Sequence, residues 1–174
     1  MSGDWHFLVA LNDRLRALRD PVEIQSVAVQ LIGEHLQASR VHYAQIQGNE
    51  FDSRRSYAVA GAAPFPDRGP VARFGKAVAD ACRRNETVVV NDAGTDARFT
   101  EAERTQFLSS GIMAFLGVPL TKGGRWVAIL GVHAATPRSW TRDQIALAEV
   151  TAERTWRPHA WCLRSRRVRC GRSK

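Results

Sequence analysis

The sequence has no apolar run long enough to cross a lipid bilayer. Its longest such run, at residues 126–135, spans about ten residues and contains His133, whereas a spanning helix needs about 20. The N-terminus also differs from a secretion signal, because Asp4 precedes the apolar residues and further charges lie among them. We therefore expect a cytoplasmic protein with no membrane partner.

Cysteine is scarce in the chain. There are 3 cysteines, and Cys162 and Cys170 lie near the C-terminus, so the first 156 residues contain only Cys82. This scarcity excludes a disulfide framework and fits a reducing compartment such as the cytosol. No Cys or His pair has the spacing of zinc ligands, so we expect no metal site.

The motifs of several enzyme classes are also missing. The sequence has no G-x-S-x-G nucleophile elbow, no Walker phosphate loop and no G-x-G-x-x-G dinucleotide fingerprint. With 174 residues, the chain has neither the length nor the motifs for an ATP-binding kinase module. We therefore expect that this chain alone is not an enzyme.

Acidic side chains are absent from residues 157–174, which hold seven of the 25 Lys and Arg residues. The first 156 residues carry 18 basic and 17 acidic side chains, so the net charge of +8 belongs almost entirely to this basic tail. We interpret residues 1–156 as one globular domain of ordinary composition. We expect the tail to be disordered. It is either a frameshift or truncation scar or an arm that binds nucleic-acid phosphates.

Periodicity and turn residues predict an α+β order of elements. Helices are expected at 5–19, 21–38, 75–84, 100–111 and 141–156, a loop at 61–70, and strands at 40–47, 51–59, 71–74, 87–91, 112–120 and 126–135. Gly48 and Asn49 predict the turn of a first hairpin, and Gly123 and Gly124 the turn of a last one. The two strands of the last hairpin are apolar throughout, which predicts burial on both faces of a sheet.

Capping residues mark three of the predicted helix starts. Asp20 precedes a first-turn proline, and Thr100 and Thr141 are each followed three residues later by Glu or Gln, the pattern of a capping box. Helical spacing also predicts one buried face on each of the first two helices. These faces comprise Phe7, Leu8, Leu11, Leu15 and Leu18 on the first helix, and Ile24, Val27, Ala28, Leu31 and His35 on the second.

A family resemblance lies in residues 112–149, IMAFLGVPLTKGGRWVAILGVHAATPRSWTRDQIALAE. This segment resembles the closing hairpin and last helix of a GAF domain, of the type found in bacterial sensor histidine kinases and bacteriophytochromes. The resemblance continues back through VVVNDAGTDARFT at residues 88–100 and to the paired helices at the start. It covers about 150 residues of the chain.

The resemblance implies a central antiparallel sheet of five or six strands. One face would pack on a bundle of the first two helices and the last, and the other would form a ligand pocket under residues 71–111. It also implies a homodimer formed through the terminal helices, with the last helix leading to an output module. The implied function is a sensory and dimerisation module of two-component signal transduction, the sensor portion of a histidine kinase.

The candidate ligand-binding residues fall into three groups. His133 lies where the resembled strand of phytochromes carries a histidine that faces the bilin, although a structural histidine is the alternative. A predicted loop at the pocket rim holds Asp92, Asp96, Arg98 and Phe99, which alternatively only cap and solvate the loop. The predicted pocket wall comprises Tyr43, Phe74, Phe115 and Val118, which are alternatively plain core.

The sequence leaves the ligand unknown but argues against covalent bilin. The Asp-Ile-Pro signature of phytochromes is absent, and residues 101–110 lack the cysteine of cyanobacterial relatives. A second hypothesis is a redox-active or small enzymatic protein in which Arg83 and Arg84 lower the pKa of the Cys82 thiol. An inert buried thiol is its alternative. Methionine sulfoxide reductase activity is not expected, because the two remaining cysteines lie in the basic tail.

Overall fold

The computed structural model describes residues 2–156, without the side chains of residues 2–4 and Arg54. The basic tail, and with it the prediction of a disordered scar or a nucleic-acid arm, lies outside the described residues. The elements in chain order are α1 (Ser2–Arg16), α2 (Pro21–Leu36), β1 (Arg40–Gln47), β2 (Glu50–Ala58), β3 (Arg68–Pro70), a short 3-10 helix (Val71–Phe74), α3 (Lys76–Arg83), β4 (Val88–Val90), α4 (Glu101–Ser109), β5 (Ala114–Lys122), β6 (Arg125–Ala134) and α5 (Arg142–Arg154).

The six strands form one antiparallel sheet in the order β3-β2-β1-β6-β5-β4. The two predicted hairpins, β1–β2 and β5–β6, are both present, and the pairing of β1 with β6 joins them at the centre. Gly123 and Gly124 turn the second hairpin with φ of 58° and 71°, a left-handed conformation that glycine adopts without strain. The expected α+β sheet of five or six strands is confirmed.

Alternate residues of the central strands face two separate cores. One core lies between the sheet and α1, α2 and α5, and it contains Val41, Leu116 and Leu130. The other lies under the 3-10 helix, α3 and α4, and it contains Phe51 and Val78. The bundle on one face and the covering layer on the other match the expected architecture.

The predicted helix caps are present. Asp20 accepts a hydrogen bond from the backbone N–H of Val22 at 2.9 Å. Thr100 with Glu103 and Thr141 with Gln144 both form reciprocal capping boxes. These contacts satisfy backbone donors that a helix start otherwise leaves without partners. The local signals therefore place α2, α4 and α5 correctly.

The segment between the sheet edge and α3 differs from the prediction. Residues 71–74 were expected to be a strand, but they form the 3-10 helix, which buries Val71 and Phe74 three positions apart. The edge strand is instead β3, inside the predicted loop, where it pairs with residues 50–52 of β2. Strand pairing between distant residues leaves little signal in such a short segment.

The buried face of α2 is also wider than predicted. Ile24 and Ala28 are buried as expected, but Val27 and Leu31 are only half-buried and His35 is exposed. The remaining buried positions are Gln25, Val29, Ile32, Gly33 and Leu36. The helix packs on β1 and β2 as well as on α1, so it buries two adjoining faces.

No helix within residues 2–156 combines the length and the apolar character needed to span a membrane.

The close contact between α2 and β2 depends on Gly33. A Cβ atom at this position would lie 2.2 Å from Cδ1 of Tyr57. We predict that Gly33→Ala destabilises the fold by about 1–3 kcal/mol, because overpacking outweighs the gain of about 1 kcal/mol in helix propensity. In a Tyr57→Ala background the same substitution should stabilise the protein. Urea denaturation of the four variants measures both effects, and an unchanged sign in both backgrounds would contradict the contact.

Candidate ligand-binding cavity

A cavity of about 100 Å³ lies on the sheet face that α3, α4 and the loop after β2 cover. Its floor is formed by residues of β1, β5 and β6, which lie in cross-strand rows. The first row comprises Arg40, His133 and Phe115, and the second comprises His42, Gly131 and Gly117. The cavity therefore opens directly onto the two central strands.

The second row is open because two of its three residues lack a side chain. The ring of His42 occupies the space above Gly131, where a Cβ atom would lie 2.1 Å from Cε1 of the histidine. Gly117 lines the cavity, and a Cβ atom there would make only ordinary contacts, the nearest at 3.5 Å to Ile129. The two glycines thus create room for a ring at one position and for a cavity at the other.

Arg40 connects four parts of the structure at one end of the cavity. Its Nε donates a hydrogen bond to Nδ1 of His133 at 3.2 Å. Its terminal nitrogens donate to the backbone oxygen of Ala63, in the loop after β2, and to that of Ser110 at 3.2 Å, just past α4. The guanidinium therefore holds the loop and the end of α4 against the sheet.

Two neutral histidines lie beside this guanidinium. Burial, and then the charge of Arg40, lower the pKa of His42 to about 3. Burial, followed by the nearby His42 and Arg40, holds the pKa of His133 well below 6.5. Since Nδ1 of neutral His133 accepts a hydrogen bond from Arg40, its proton resides on Nε2. Arg40 is thus the charged group of the cavity floor.

Aromatic rings complete the wall near His42. Phe65, in the loop after β2, stacks on His42 with ring centroids 3.9 Å apart and planes 9° from parallel. Its ring also lies 5.6 Å from Cζ of Arg40, within cation–π distance. Phe74 continues the wall from the 3-10 helix. The loop after β2 therefore forms part of the cavity wall and is more than a connection.

The structure places three of the nine sequence-predicted residues, Phe74, Phe115 and His133, around the cavity. Phe99 belongs to the core on the same side of the sheet but does not line the cavity, and its ring centroid lies 4.9 Å from that of Phe107. Tyr43 and Val118 lie in one row on the opposite face, on either side of Leu130. The prediction placed these two in the pocket wall. They face the helix bundle because their positions have the opposite parity to Arg40 and Phe115.

The charged loop residues brace the loop and do not line the cavity. Oδ1 of Asp92 accepts a hydrogen bond from the N–H of Gly94 at 2.9 Å. The side chains of Asp96 and Arg98 form an ion pair at 2.6 Å, and Arg98 also donates to the backbone oxygen of Val89. Hydrogen bonds from Arg98 lower the pKa of Asp96. These contacts agree with the alternative interpretation of the loop as self-capped.

Sequence reasoning missed Arg40, His42 and Phe65. A signal for the first two exists in RVHYAQIQ, because Arg40 and His42 alternate with apolar residues and so share one strand face. Two polar residues on a buried strand point to a site on that face. Phe65 lies in a segment rich in Pro and Gly, where local sequence does not indicate which way a side chain points.

Cys82, the basis of the redox hypothesis, is fully buried in α3 within the core under the cavity. Burial raises the pKa of its thiol to about 12, and the charge of Arg83 opposes this shift only in part. A thiol with a raised pKa carries little reactive thiolate at neutral pH. The predicted lowering of its pKa by neighbouring arginines is therefore wrong.

The buried histidines make stability depend on pH. A histidine with a folded pKa near 3 and an unfolded pKa near 6.5 stabilises the fold fully above about pH 6.5, and this stabilisation is lost as the pH falls toward 3. We predict that His42→Phe reduces this slope by up to about 1.4 kcal/mol per pH unit. Urea denaturation between about pH 6.5 and about pH 5 measures it. His35→Gln, at an exposed histidine, is the matched control, and equal slopes in both variants would contradict a neutral buried His42.

Comparisons with solved structures agree with this architecture. The GAF domain of a phosphoenolpyruvate-protein phosphotransferase (ptsP) from Coxiella burnetii superposes with a TM-score of 0.71 at 14% identity, covering 98% of both chains. A chromophore-binding domain of an unusual bacteriophytochrome from R. palustris gives 0.72 at 13% identity over 87% of this chain, which spans only 59% of that domain's chain. A free methionine-R-sulfoxide reductase from Neisseria meningitidis gives 0.70 at 16% identity, covering 95% and 91%.

At these identities the structural similarity establishes the fold and nothing more. No curated protein matches the sequence. The sequence model of the GAF domain family matches residues 20–157, which include β1 to β6, α2 to α5 and every residue of the cavity floor. The chain therefore belongs to the GAF domain family.

Proposed function

We propose that this chain is a sensory module of bacterial signal transduction that binds a small ligand in the cavity and relays its presence through the terminal helices. The proposal rests on β1, because one face of this strand lines the cavity and the other face packs against the helix bundle. Arg40 and His42 of this strand line the cavity, and Val41 and Tyr43 between them pack against the helix bundle. A ligand that displaces β1 must therefore also disturb the bundle.

A buried hydrogen bond links β1 to α5 on the bundle side of the sheet. The hydroxyl of Tyr43 donates a hydrogen bond to the backbone oxygen of Ala152 in α5 at 3.2 Å. Both groups are buried, so breaking this bond without replacement costs about 1–3 kcal/mol. A ligand can bias α5 only by favouring one arrangement of these contacts over another. As predicted from the sequence, we propose that α5 passes this bias to the output module of a sensor histidine kinase.

We propose that the chain itself binds and does not catalyse. The buried Cys82 thiol does not offer the reactive thiolate that a redox enzyme needs. The residues present also do not fit covalent bilin, because Glu101–Ser109 contains no cysteine and a cavity of about 100 Å³ is far smaller than a tetrapyrrole requires. A cavity of about 150 Å³ accommodates benzene, so we expect a ligand no larger than about one ring. The cytoplasmic location stays a prediction.

Four small aromatic compounds test ligand binding: phenol, benzoate and benzylamine, which each have one ring, and the larger bicyclic indole. We predict that at least one raises the melting temperature of the protein, since a ligand that binds only the folded state stabilises it. Gly117→Ala should fold normally, because its Cβ finds no close contact, but it should weaken that binding several-fold by filling the cavity. Gly94→Ala, at a glycine outside the cavity, is the control. If no compound binds, or if both variants behave alike, the cavity is not the ligand site.

The same bound compound tests the relay. Amide hydrogen exchange should change in α5 around Ala152 as well as in β1 when the compound binds. A change confined to the residues around the cavity would show binding without relay and would overturn the proposed sensory role.

We also propose that the chain forms a homodimer through α1 and the start of α2. Trp5 and Val9 lie one helical turn apart on α1 with 68% and 40% of their surface exposed, and Val22 nearby in sequence is 36% exposed. Exposed apolar side chains grouped on one element favour association. The bundle that carries them also contains α5, so dimer formation and the relay would share one set of helices.

Removal of these side chains tests the dimer. We predict that Trp5→Ser with Val9→Ser weakens self-association at least roughly tenfold, because two central apolar contacts are lost. Sedimentation equilibrium measures the dissociation constant. Leu108→Ser, at an exposed apolar residue of α4, is the matched control and should leave it unchanged. A parent protein that is monomeric at every concentration would contradict the proposal.

A further inference from the structure

Arg40 is buried without a carboxylate to balance its charge. Only 3% of its surface is exposed, and within residues 2–156 no ion pair joins it to an acidic side chain. A buried charge without a counter-ion is strongly unfavourable unless hydrogen bonds or a bound ion compensate it. The described residues provide only neutral acceptors, namely one imidazole nitrogen and two backbone oxygens.

The Arg40 guanidinium also has N–H groups without an acceptor among the described residues. An arginine side chain has five N–H groups, and three are assigned to His133, Ala63 and Ser110. Each terminal nitrogen uses one N–H in these bonds, so one N–H on each has no partner in the described structure. A carboxylate that binds arginine through both oxygens accepts two such N–H groups.

The charges around the cavity favour an anion and disfavour a cation. Among the described residues that line it there is no Asp or Glu, whereas Arg73 adds a second guanidinium at the exposed side of the 3-10 helix. His42 and His133 are uncharged at neutral pH. An ammonium group in this cavity would meet positive charge with no acid to balance it, and a carboxylate would meet Arg40.

Most of the remaining wall is apolar, with Gln106 and Ser110 as its uncharged polar residues. Its apolar side chains include Phe74, Val78, Phe107, Ile112, Phe115 and Ile129. An inorganic anion would leave these side chains without a partner, and a sugar or polyol would bury most of its hydroxyls against apolar side chains. A flat hydrocarbon ring fills such a space well, since aromatic rings pack edge-to-face and offset against phenylalanine.

We propose that the cavity selects a small single-ring carboxylate and that Arg40 binds its carboxylate group. This inference rests on the proposed ligand-binding function and adds to it the chemical class of the ligand. Arg40 is then both the anion-binding residue and the link to Ala63 and Ser110. A bound carboxylate would interact with the same side chain that holds the loop after β2 and the end of α4 in place. Ligand binding would therefore be coupled to the positions of these two segments.

Titration calorimetry with benzoate and benzamide tests the inference on the full chain. The two compounds have nearly the same shape, but only benzoate is charged. We expect benzoate to bind at least roughly tenfold more tightly, because hydrogen bonds to charged groups are worth about 1.5–3 kcal/mol. Acetate, which carries the charge without the ring, should bind much more weakly than benzoate. Equal or tighter binding of benzamide would overturn the inference and leave the ligand-binding function standing.

Variants at Arg40 assign the preference to this residue. Arg40→Gln should weaken benzoate binding roughly 10- to 100-fold and leave benzamide binding unchanged. Arg138→Gln is the matched control, because Arg138 also donates to a backbone oxygen, that of Leu36, but lies outside the cavity. Should Arg40→Gln fail to fold, Arg40→Lys keeps the charge, and an intermediate affinity for benzoate is then expected.

Three further results would overturn the inference. In the first, benzoate fails to bind the folded parent. In the second, Arg40→Lys binds benzoate as tightly as the parent does, and in the third, Arg138→Gln loses as much affinity as the Arg40 variants. If phenol, indole or benzylamine binds in place of benzoate, only the chemical class is wrong. If none of the four compounds binds, the proposed ligand-binding function fails as well.

Discussion

The antiparallel pairing of β1 with β6 is the constraint on which the rest of the structure depends. It joins two hairpins that are far apart in sequence into one sheet, and its register places Arg40 opposite His133 and His42 opposite Gly131. A shift of one residue would exchange the two faces of β1, so that Val41 and Tyr43 would enter the cavity. The cavity and the bundle core are therefore specified by the same register.

The two faces of the sheet differ in the interactions that stabilise them. The bundle face is an apolar core closed by three helices, with Tyr43 as its polar link to α5. On the cavity face, hydrogen bonds from Arg40 link β1 to β6, the loop after β2 and the end of α4. A ligand with stronger hydrogen-bond acceptors can compete for these bonds, whereas an apolar core transmits the resulting movement through close packing. This division suits a sensory module.

Prediction from sequence succeeded where the determining interactions are local. Helix caps at Thr100 and Thr141 and the glycine turn at residues 123–124 each depend on residues within about four positions of one another. The GAF resemblance then supplied the arrangement of these elements. Prediction failed at β3 and on the wider buried face of α2, because both depend on contacts with other elements of the fold, which the local sequence pattern does not specify.

The sequence by itself determined most of the elements, their capping and the antiparallel α+β class, because periodicity, turn chemistry and residue spacing are local properties. Its resemblance to GAF domains indicated the family. Only the tertiary structure decided which residues form the candidate site. It placed Arg40, His42 and Phe65 with Phe74, Phe115 and His133, and it turned Tyr43 and Val118 to the bundle. The physical reason is strand parity and register: alternate side chains face opposite ways, and only the pairing of β1 with β6 fixes which set meets the cavity.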